Sequence, residues 1–197
     1  GAYGNDGNGS YSQYSSGAPG HVRIFRNTNN SWQQIGEIIG ETSGDQSGKA
    51  ITLSGDGSII AIGAAENDGK GERSGHVRVF RNDNDTWKQI GADIDGEAAG
   101  DLSGVSISIS GDGSIIAIGA RGNDAGGDYR GHVRVYKNVD DSWQQLGEDI
   151  DGNIDYGEFG RAISLSDDGS TIAITGDGMY SSGANKGSVS VYKLDNN

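Results

Sequence analysis

The stretch Gly75-His-Val-Arg-Val-Phe80 decides the fold, because it returns along the chain at a nearly constant interval. Close copies begin at Gly20, Gly131 and Gly187, which gives a period of about 56 residues. Three tryptophans keep the same interval: Trp32, Trp87 and Trp143. A repeat of this length indicates a solenoid, a propeller or another array of similar units.

Each repeat contains four short apolar segments of strand length. Around the quoted stretch lie the tryptophan segment, the alternating Ala50–Ser54 and the continuous run Ile59–Ile62. All are rich in β-branched and aromatic residues, and Ser54-Gly-Asp-Gly57 supplies the chemistry of a tight turn. Four antiparallel strands per unit, repeated radially, predict an all-β fold, a β-propeller of four-stranded blades. A β-solenoid is the alternative, but 56 residues is long for one coil.

The 197 residues supply about 3.5 blades, whereas closed propellers typically use four to eight. We expect a single repeat array with a partial blade at 1–46, complete blades at 47–102 and 103–158, and a partial blade at 159–197. Exposed blade edges invite association. The chain is therefore expected to be part of a longer protein, or to close its ring with another copy.

Composition excludes several classes of function. The formal net charge is −13, which opposes binding to nucleic acid because phosphates carry the same sign. The longest apolar run is far too short to cross a bilayer, so no membrane insertion is expected. Cysteine is absent, which rules out disulfides and cysteine metal sites.

The repeat resembles the FG-GAP repeat of the integrin α-subunit propeller. Phe159-Gly160 matches the opening of that pattern, Gly63-Ala64 matches its middle without the proline, and Gly75–Phe80 matches its end. The resemblance implies an extracellular or cell-surface protein. It also implies that Ile51–Ser54 is the innermost strand and that the tryptophan strand is outermost. The family's calcium loop is not carried over, because Ser54–Ser58 holds a single carboxylate, Asp56.

Alternate loops of an antiparallel blade lie at opposite ends, and one end gathers most of the acidic loop residues. We call this the acidic end. It is either a cation-binding surface, with Ca²⁺ as the expected ion, or a set of solvated turns. The candidate metal ligands are Glu41, Asp45, Glu97 and Asp101.

The candidate ligand-face residues combine acidic turn positions with aromatic residues where the repeat is interrupted. Exposed aromatic side chains in loops favour recognition of a protein or glycan. The candidates are Tyr11, Tyr14, Asp68, Asp124, Tyr156 and Tyr180. The histidines His21, His76 and His132 share one repeat position, so they are expected to lie on separate blades and to be structural.

These observations predict a non-catalytic extracellular adhesion or binding module that presents the acidic end. A structural spacer in a larger surface assembly is the second hypothesis. A polysaccharide-acting enzyme on a propeller is the third. It is disfavoured because no histidine or carboxylate pair that breaks the repeat stands out as a general acid and base.

Overall fold

The computed structural model describes residues 18–178 and 186–194. Within these ranges the regular secondary structure consists only of β-strands. The strands form four separate antiparallel sheets, which we number I to IV in chain order. Sheet I contains β1 (His21–Thr28) and β2 (Ser31–Ile39). Sheet II contains β3 (Ala50–Leu53), β4 (Ile59–Ala64), β5 (His76–Asp83), β6 (Thr86–Gln89) and β7 (Ile94–Asp95).

Sheets III and IV continue the series. Sheet III contains β8 (Ser106–Ile109), β9 (Ile115–Ala120), β10 (His132–Val139), β11 (Ser142–Gln145) and β12 (Ile150–Asp151). Sheet IV contains β13 (Ile163–Leu165), β14 (Thr171–Gly178) and β15 (Lys186–Lys193). The described residues include no helix long and apolar enough to cross a membrane.

The strand order confirms the all-β propeller-type fold. Sheet II runs β3-β4-β5-β6, with β7 also paired to β5, and sheet III repeats this order from β8 to β12. The two complete blades and the two sheets with fewer described strands agree with the expected count of about 3.5. The exact blade boundaries at residues 46, 102 and 158 stay a prediction.

The apolar core lies between the sheets, because alternate residues of each strand face opposite neighbours. On β4, Ile60 and Ile62 pack against Val22 and Ile24 of sheet I. Ile59 and Ala61, which alternate with them along β4, pack on the other side against sheet III. This two-sided burial explains why β4 is a continuous apolar run.

Successive blades are joined near the axis by their tight turns. The backbone amide of Gly55 donates to the carbonyl of Gly111 at 2.8 Å, and Gly111 donates to Asp167 at 2.8 Å. The innermost strands β3, β8 and β13 also contact one another in sequence. The chain therefore places equivalent residues of neighbouring blades side by side around a common centre.

The glycine that begins the repeated stretch is required by this packing. Gly75 has φ of 76°, and a Cβ at this position would lie 2.2 Å from the carbonyl oxygen of Ser103 in the following connection. Gly131 meets Phe159 in the same way, with φ of 73°. Only glycine accepts both the backbone conformation and the close approach.

The three tryptophans are not equivalent in their packing. Trp87 packs against the core between sheets I and II, and Trp143 donates from Nε1 to the carbonyl of Ile90 at 3.1 Å. Trp32 instead leaves 69% of its surface exposed. The same repeat position therefore gives different burial, because Trp87 and Trp143 pack against a preceding sheet and Trp32 does not.

Candidate functional site

The acidic end contains the loops that follow β4 and β9 and the segments that connect one blade to the next. Two Asp-Ile-Asp segments line it, and their last two residues form β7 and β12, which pair with the starts of β5 and β10. Ile94, the central residue of the first of these, is buried in the core. The flanking aspartates project to the opposite face, since side chains alternate along a strand.

Two of the predicted metal ligands brace adjacent repeats. Asp45 is 3% exposed, and its Oδ2 accepts hydrogen bonds from the Thr42 amide and from Asn67 Nδ2, both at 3.0 Å. Asp101 accepts a bond from Asn123 Nδ2 at 3.2 Å in the equivalent position. These carboxylates therefore join each connecting segment to the loop of the next blade.

The predicted ligand-face aspartates close turns. Asp68 accepts a hydrogen bond from the Arg73 amide at 2.7 Å, and Asp124 accepts one from the Tyr129 amide at 2.7 Å. Both side chains lie on exposed loops at the acidic end. A turn-forming role accounts for their recurrence, and ligand binding by them stays a prediction.

Tyr156 belongs to an aromatic pair that sequence reasoning found only in part. Its ring stacks on Tyr129 with centroids 6.0 Å apart, and both side chains are 47% exposed. The Tyr156 hydroxyl donates to Asp128 at 3.1 Å, and this hydrogen bond raises the pKa of Tyr156. The predicted residues Tyr11, Tyr14 and Tyr180 lie outside the described part of the chain.

The histidines do not stand alone, because carboxylates from two repeats surround two of them. One group, the His76 cluster, consists of Glu41, His76 and Asp93. The equivalent His132 cluster consists of Glu97, His132 and Asp149. Within each cluster, one potential ligand atom from every residue lies within 4.8 Å of the others.

Sequence reasoning named Glu41 and Glu97 but missed the aspartates Asp93 and Asp149. A signal for them was present, because Asp93-Ile-Asp95 recurs as Asp149-Ile-Asp151 just before each blade ends. In the first repeat the corresponding residues are Glu37-Ile-Ile39, and His21 lacks the two aspartates. The contact itself follows from strand pairing, which brings the end of one repeat back to its own histidine.

The His76 cluster lines a cleft of about 460 Å³. His76 is buried, with its Nδ1 3.7 Å from Asp93 Oδ2. Arg78 joins the repeats here: its guanidinium lies 3.2 Å from Glu41 Oε1 and donates to the carbonyl of Ile39 at 2.9 Å. The remaining lining residues are Thr42, Asp45, Asn67, Asp68, Gly69 and Asp95.

The His132 cluster is more deeply enclosed. His132 is fully buried, and its Nδ1 lies 3.9 Å from Glu97, 3.7 Å from Asp149 and 4.0 Å from Asp151. Among the described residues neither ring nitrogen has a hydrogen-bond partner. Burial, and next the nearby Arg134 charge, lower the pKa of His132, so the ring is neutral near pH 7.

A larger cleft of about 570 Å³ lies at the opposite end, between sheets I and II. Its carboxylates are already engaged: Asp56 accepts bonds from the hydroxyls of Ser54 and Ser58, and Asp85 pairs with Arg26 at 2.7 Å. The cleft at the acidic end is the better candidate site, because a histidine lines it beside several carboxylates, whereas no histidine lines the larger cleft.

No protein-family model matches the chain, and no curated protein matches it. Solved structures share its fold. One, described as a putative 6-phosphogluconolactonase from Bacteroides uniformis ATCC 8492, has a TM-score of 0.55 and 14% identity over 90% of this chain. Another, described in the same words and from Bacteroides fragilis NCTC 9343, has a TM-score of 0.49 and 17% identity over 68% of this chain. The chain spans 50% and 34% of their respective lengths.

These comparisons correct the FG-GAP assignment. No family model supports it, and the structural neighbours are described as lactonases. The physical reason is that the matching elements are what this blade geometry itself demands: a glycine at the junction and alternating apolar residues on a strand. The extracellular location rested on the same resemblance and stays a prediction without that support.

The expectation of a non-catalytic adhesion module, and of a chain that is not an enzyme, is corrected as well. The structural neighbour with a TM-score of 0.55 is described as a putative enzyme, a 6-phosphogluconolactonase. The argument against catalysis also fails on the structure, because it considered only residues that break the repeat, whereas the clusters consist of residues that recur in it. Residues far apart in sequence, such as Glu41 and His76, meet at the junctions between repeats.

Proposed function

We propose that this chain forms the catalytic cleft of a propeller hydrolase that opens the ring of an uncharged sugar lactone. The observation that carries the proposal is the His76 cluster, a buried imidazole that faces two carboxylates on the wall of a cleft of about 460 Å³. That volume is within the usual range for small-molecule sites. The description of the propeller neighbours as lactonases supports the reaction class.

Lactone hydrolysis adds water across a cyclic ester. In the proposed reaction the His76 imidazole accepts a proton from water as the water oxygen attacks the lactone carbonyl carbon. The ring carbon–oxygen bond then breaks, and the proton passes from the imidazolium to the leaving alkoxide. The product is the open-chain hydroxy acid. Asp93 and Glu41 favour the transient imidazolium because they place negative charge beside it.

The charge of the cleft points to an uncharged substrate. Its carboxylates are Glu41, Asp45, Asp68, Asp93 and Asp95. The cations beside them are Arg78, already paired with Glu41, and Lys70, whose Nζ lies 3.9 Å from Asp95. A phosphate group would meet like charge on most sides, and the chain carries −13 overall. We therefore expect a neutral lactone in place of the phosphorylated one in the neighbours' description.

The test is a pH-stat assay of the purified chain with glucono-1,5-lactone and with its 6-phosphate, each corrected for spontaneous hydrolysis. We expect acceleration with the neutral lactone and much less with the phosphate. His76→Gln should lower kcat by about 100-fold or more, as expected for loss of a general base. His21→Gln is the matched control, because His21 is equally buried at the start of β1 but lacks the aspartate pair.

Three outcomes would contradict the proposal. No acceleration with either lactone would refute the activity. Equal rates for His76→Gln and the unmodified chain would refute the role of the cluster, provided that both proteins show a cooperative thermal unfolding transition. Preference for the 6-phosphate would refute the charge argument.

A further inference from the structure

We propose that the His132 cluster binds a divalent transition-metal cation, with Zn²⁺ as the best-fitting ion. The ligands are His132 Nδ1, one carboxylate oxygen of Glu97 and one of Asp149, with Asp151 beside them. This site is separate from the cleft of the proposed function. It lies at the next blade junction and does not depend on lactone hydrolysis.

The buried imidazole is the first argument. His132 is fully buried, and within the described chain its ring nitrogens have no hydrogen-bond partner. A buried polar group without a partner is costly, and native structures normally satisfy it. The Nδ1 atom faces three carboxylates at 3.7 to 4.0 Å, which is beyond hydrogen-bond distance.

The spacing suits a bound cation. Zn²⁺ binds imidazole nitrogen and carboxylate oxygen at about 2.0–2.2 Å, so ligand atoms in a tetrahedral site lie roughly 3.3–3.6 Å apart. The separation of 3.7 Å between His132 Nδ1 and Asp149 Oδ2 requires only a small contraction. Three protein ligands would leave a fourth position for water, which is the arrangement of an open zinc site.

The charge balance also favours a dication. Glu97 divides its oxygens between two groups, with Oε1 3.5 Å from Arg134 and Oε2 3.9 Å from His132. Asp149 and Asp151 add negative charge at the same nitrogen. One guanidinium beside three carboxylates leaves an excess of about two negative charges, which a divalent cation neutralises.

The two clusters differ in their nearby cations. Lys70 reaches Asp95 in the His76 cleft, whereas the equivalent position of the next repeat is Gly126. Two further arginines of the second junction pair elsewhere, Arg130 with Asp155 at 2.6 Å and Arg121 with Glu158 at 2.7 Å, whereas Arg134 stays beside Glu97. The His132 cluster therefore lacks the competing ammonium group, and its imidazole favours Zn²⁺ over the Ca²⁺ expected from the sequence.

The experiment is calorimetric titration of Zn²⁺ and of Ca²⁺ into the untagged, chelator-treated chain, with Co²⁺ absorption as a second readout of the ligand field. We expect one Zn²⁺ per chain, a higher melting temperature with Zn²⁺ and weaker binding of Ca²⁺. His132→Gln should abolish the site. Glu97→Gln changes a half-exposed side chain, so it should fold normally and weaken Zn²⁺ binding by about 10-fold or more.

His76→Gln is the matched control and should retain one Zn²⁺. The proposal is overturned if no stoichiometric Zn²⁺ binding occurs, or if Glu97→Gln and His132→Gln bind as tightly as the unmodified chain. Loss of the site in His76→Gln with retention in His132→Gln would also overturn it, as would Ca²⁺ binding as tight as that of Zn²⁺. None of these results depends on lactone hydrolysis, so the two proposals fail independently.

Discussion

Single aspartates organise the tight turns at the end opposite the candidate site. Asp168 accepts hydrogen bonds from the Ser166 hydroxyl at 2.6 Å and from the Ser170 amide at 3.0 Å. These bonds, led by that from Ser166, lower the pKa of Asp168 to about 2. Asp56 and Asp112 make the same contacts in their repeats, and hydrogen bonds lower the pKa of each. The aspartate of this turn is therefore a stabilising acceptor in every described copy.

Asp168→Asn should make the chain less stable at neutral pH, with a difference that disappears in acid. A lowered folded-state pKa stabilises above the unfolded value of about 3.9, and this contribution is lost as pH falls through about 2. The gap in melting temperature between the two proteins should thus narrow from pH 4 to pH 2. Asp167→Asn, a change at the exposed neighbour, is the control. A gap that stays constant over this range would contradict the prediction.

At the scale of the element, the outer strands β6 and β11 each carry a tryptophan that packs against the preceding sheet. Trp87 contacts Gly36 so closely that a Cβ on this glycine would lie 2.4 Å from the indole. Trp143 approaches Gly91 in the same manner. A glycine on or just after one outer strand and a tryptophan on the next therefore form a repeated contact between blades.

Replacement of these tryptophans should have unequal effects. Trp87→Ala should lower the free energy of unfolding by about 2–3 kcal/mol, because it empties a packed site between sheets I and II. Trp32→Ala should lower it by less than about 1 kcal/mol, since that side chain is 69% exposed. Urea denaturation of both variants measures the difference. Equal losses would show that the contact between blades is not what stabilises the strand.

At the scale of the whole molecule, the first and last sheets present apolar side chains to solvent. Val189 and Val191 on β15 are each 66% exposed, and Phe25 on β1 is 47% exposed. In a propeller these faces pack on a further blade. Ring closure by another copy or by further chain, as expected from the blade count, would cover them.

We predict that the purified chain associates with itself through these faces. Sedimentation velocity at increasing concentration should show species heavier than the monomer. The double substitution of Val189 and Val191 by Thr should shift the distribution toward monomer, because it reduces the exposed apolar surface. A chain that remains monomeric at all concentrations would contradict association between copies.

Much of the fold could be predicted from the sequence because the information is local and repeated. The continuous run Ile59–Ile62 predicted a strand, and it forms β4, which is buried along its whole length. The repeated stretch Gly75–Phe80 predicted a strand and lies on β5, and the turn chemistry of Ser54–Gly57 predicted the tight turn that joins β3 to β4. The family assignment failed because these same features serve any four-stranded blade.

The candidate site could be predicted only in part. Glu41 and Glu97 were found because acidic residues gather at one end, but their partners were not. His76 meets Glu41 from the preceding repeat and Asp93 from the end of its own. Such contacts depend on how blades stack and on the pairing of β7 with β5, which no local pattern specifies.

The sequence by itself determined the repeat, the strands and the end at which charge accumulates, because apolar pattern and turn residues act over a few positions and the repeat copies them along the chain. Only the tertiary structure decided which side chains meet across blades. It buried His132 among three carboxylates, left Trp32 exposed and set Lys70 beside one cluster alone. The physical reason is that these outcomes depend on distances between residues up to about one repeat apart, and the packing of neighbouring sheets sets those distances.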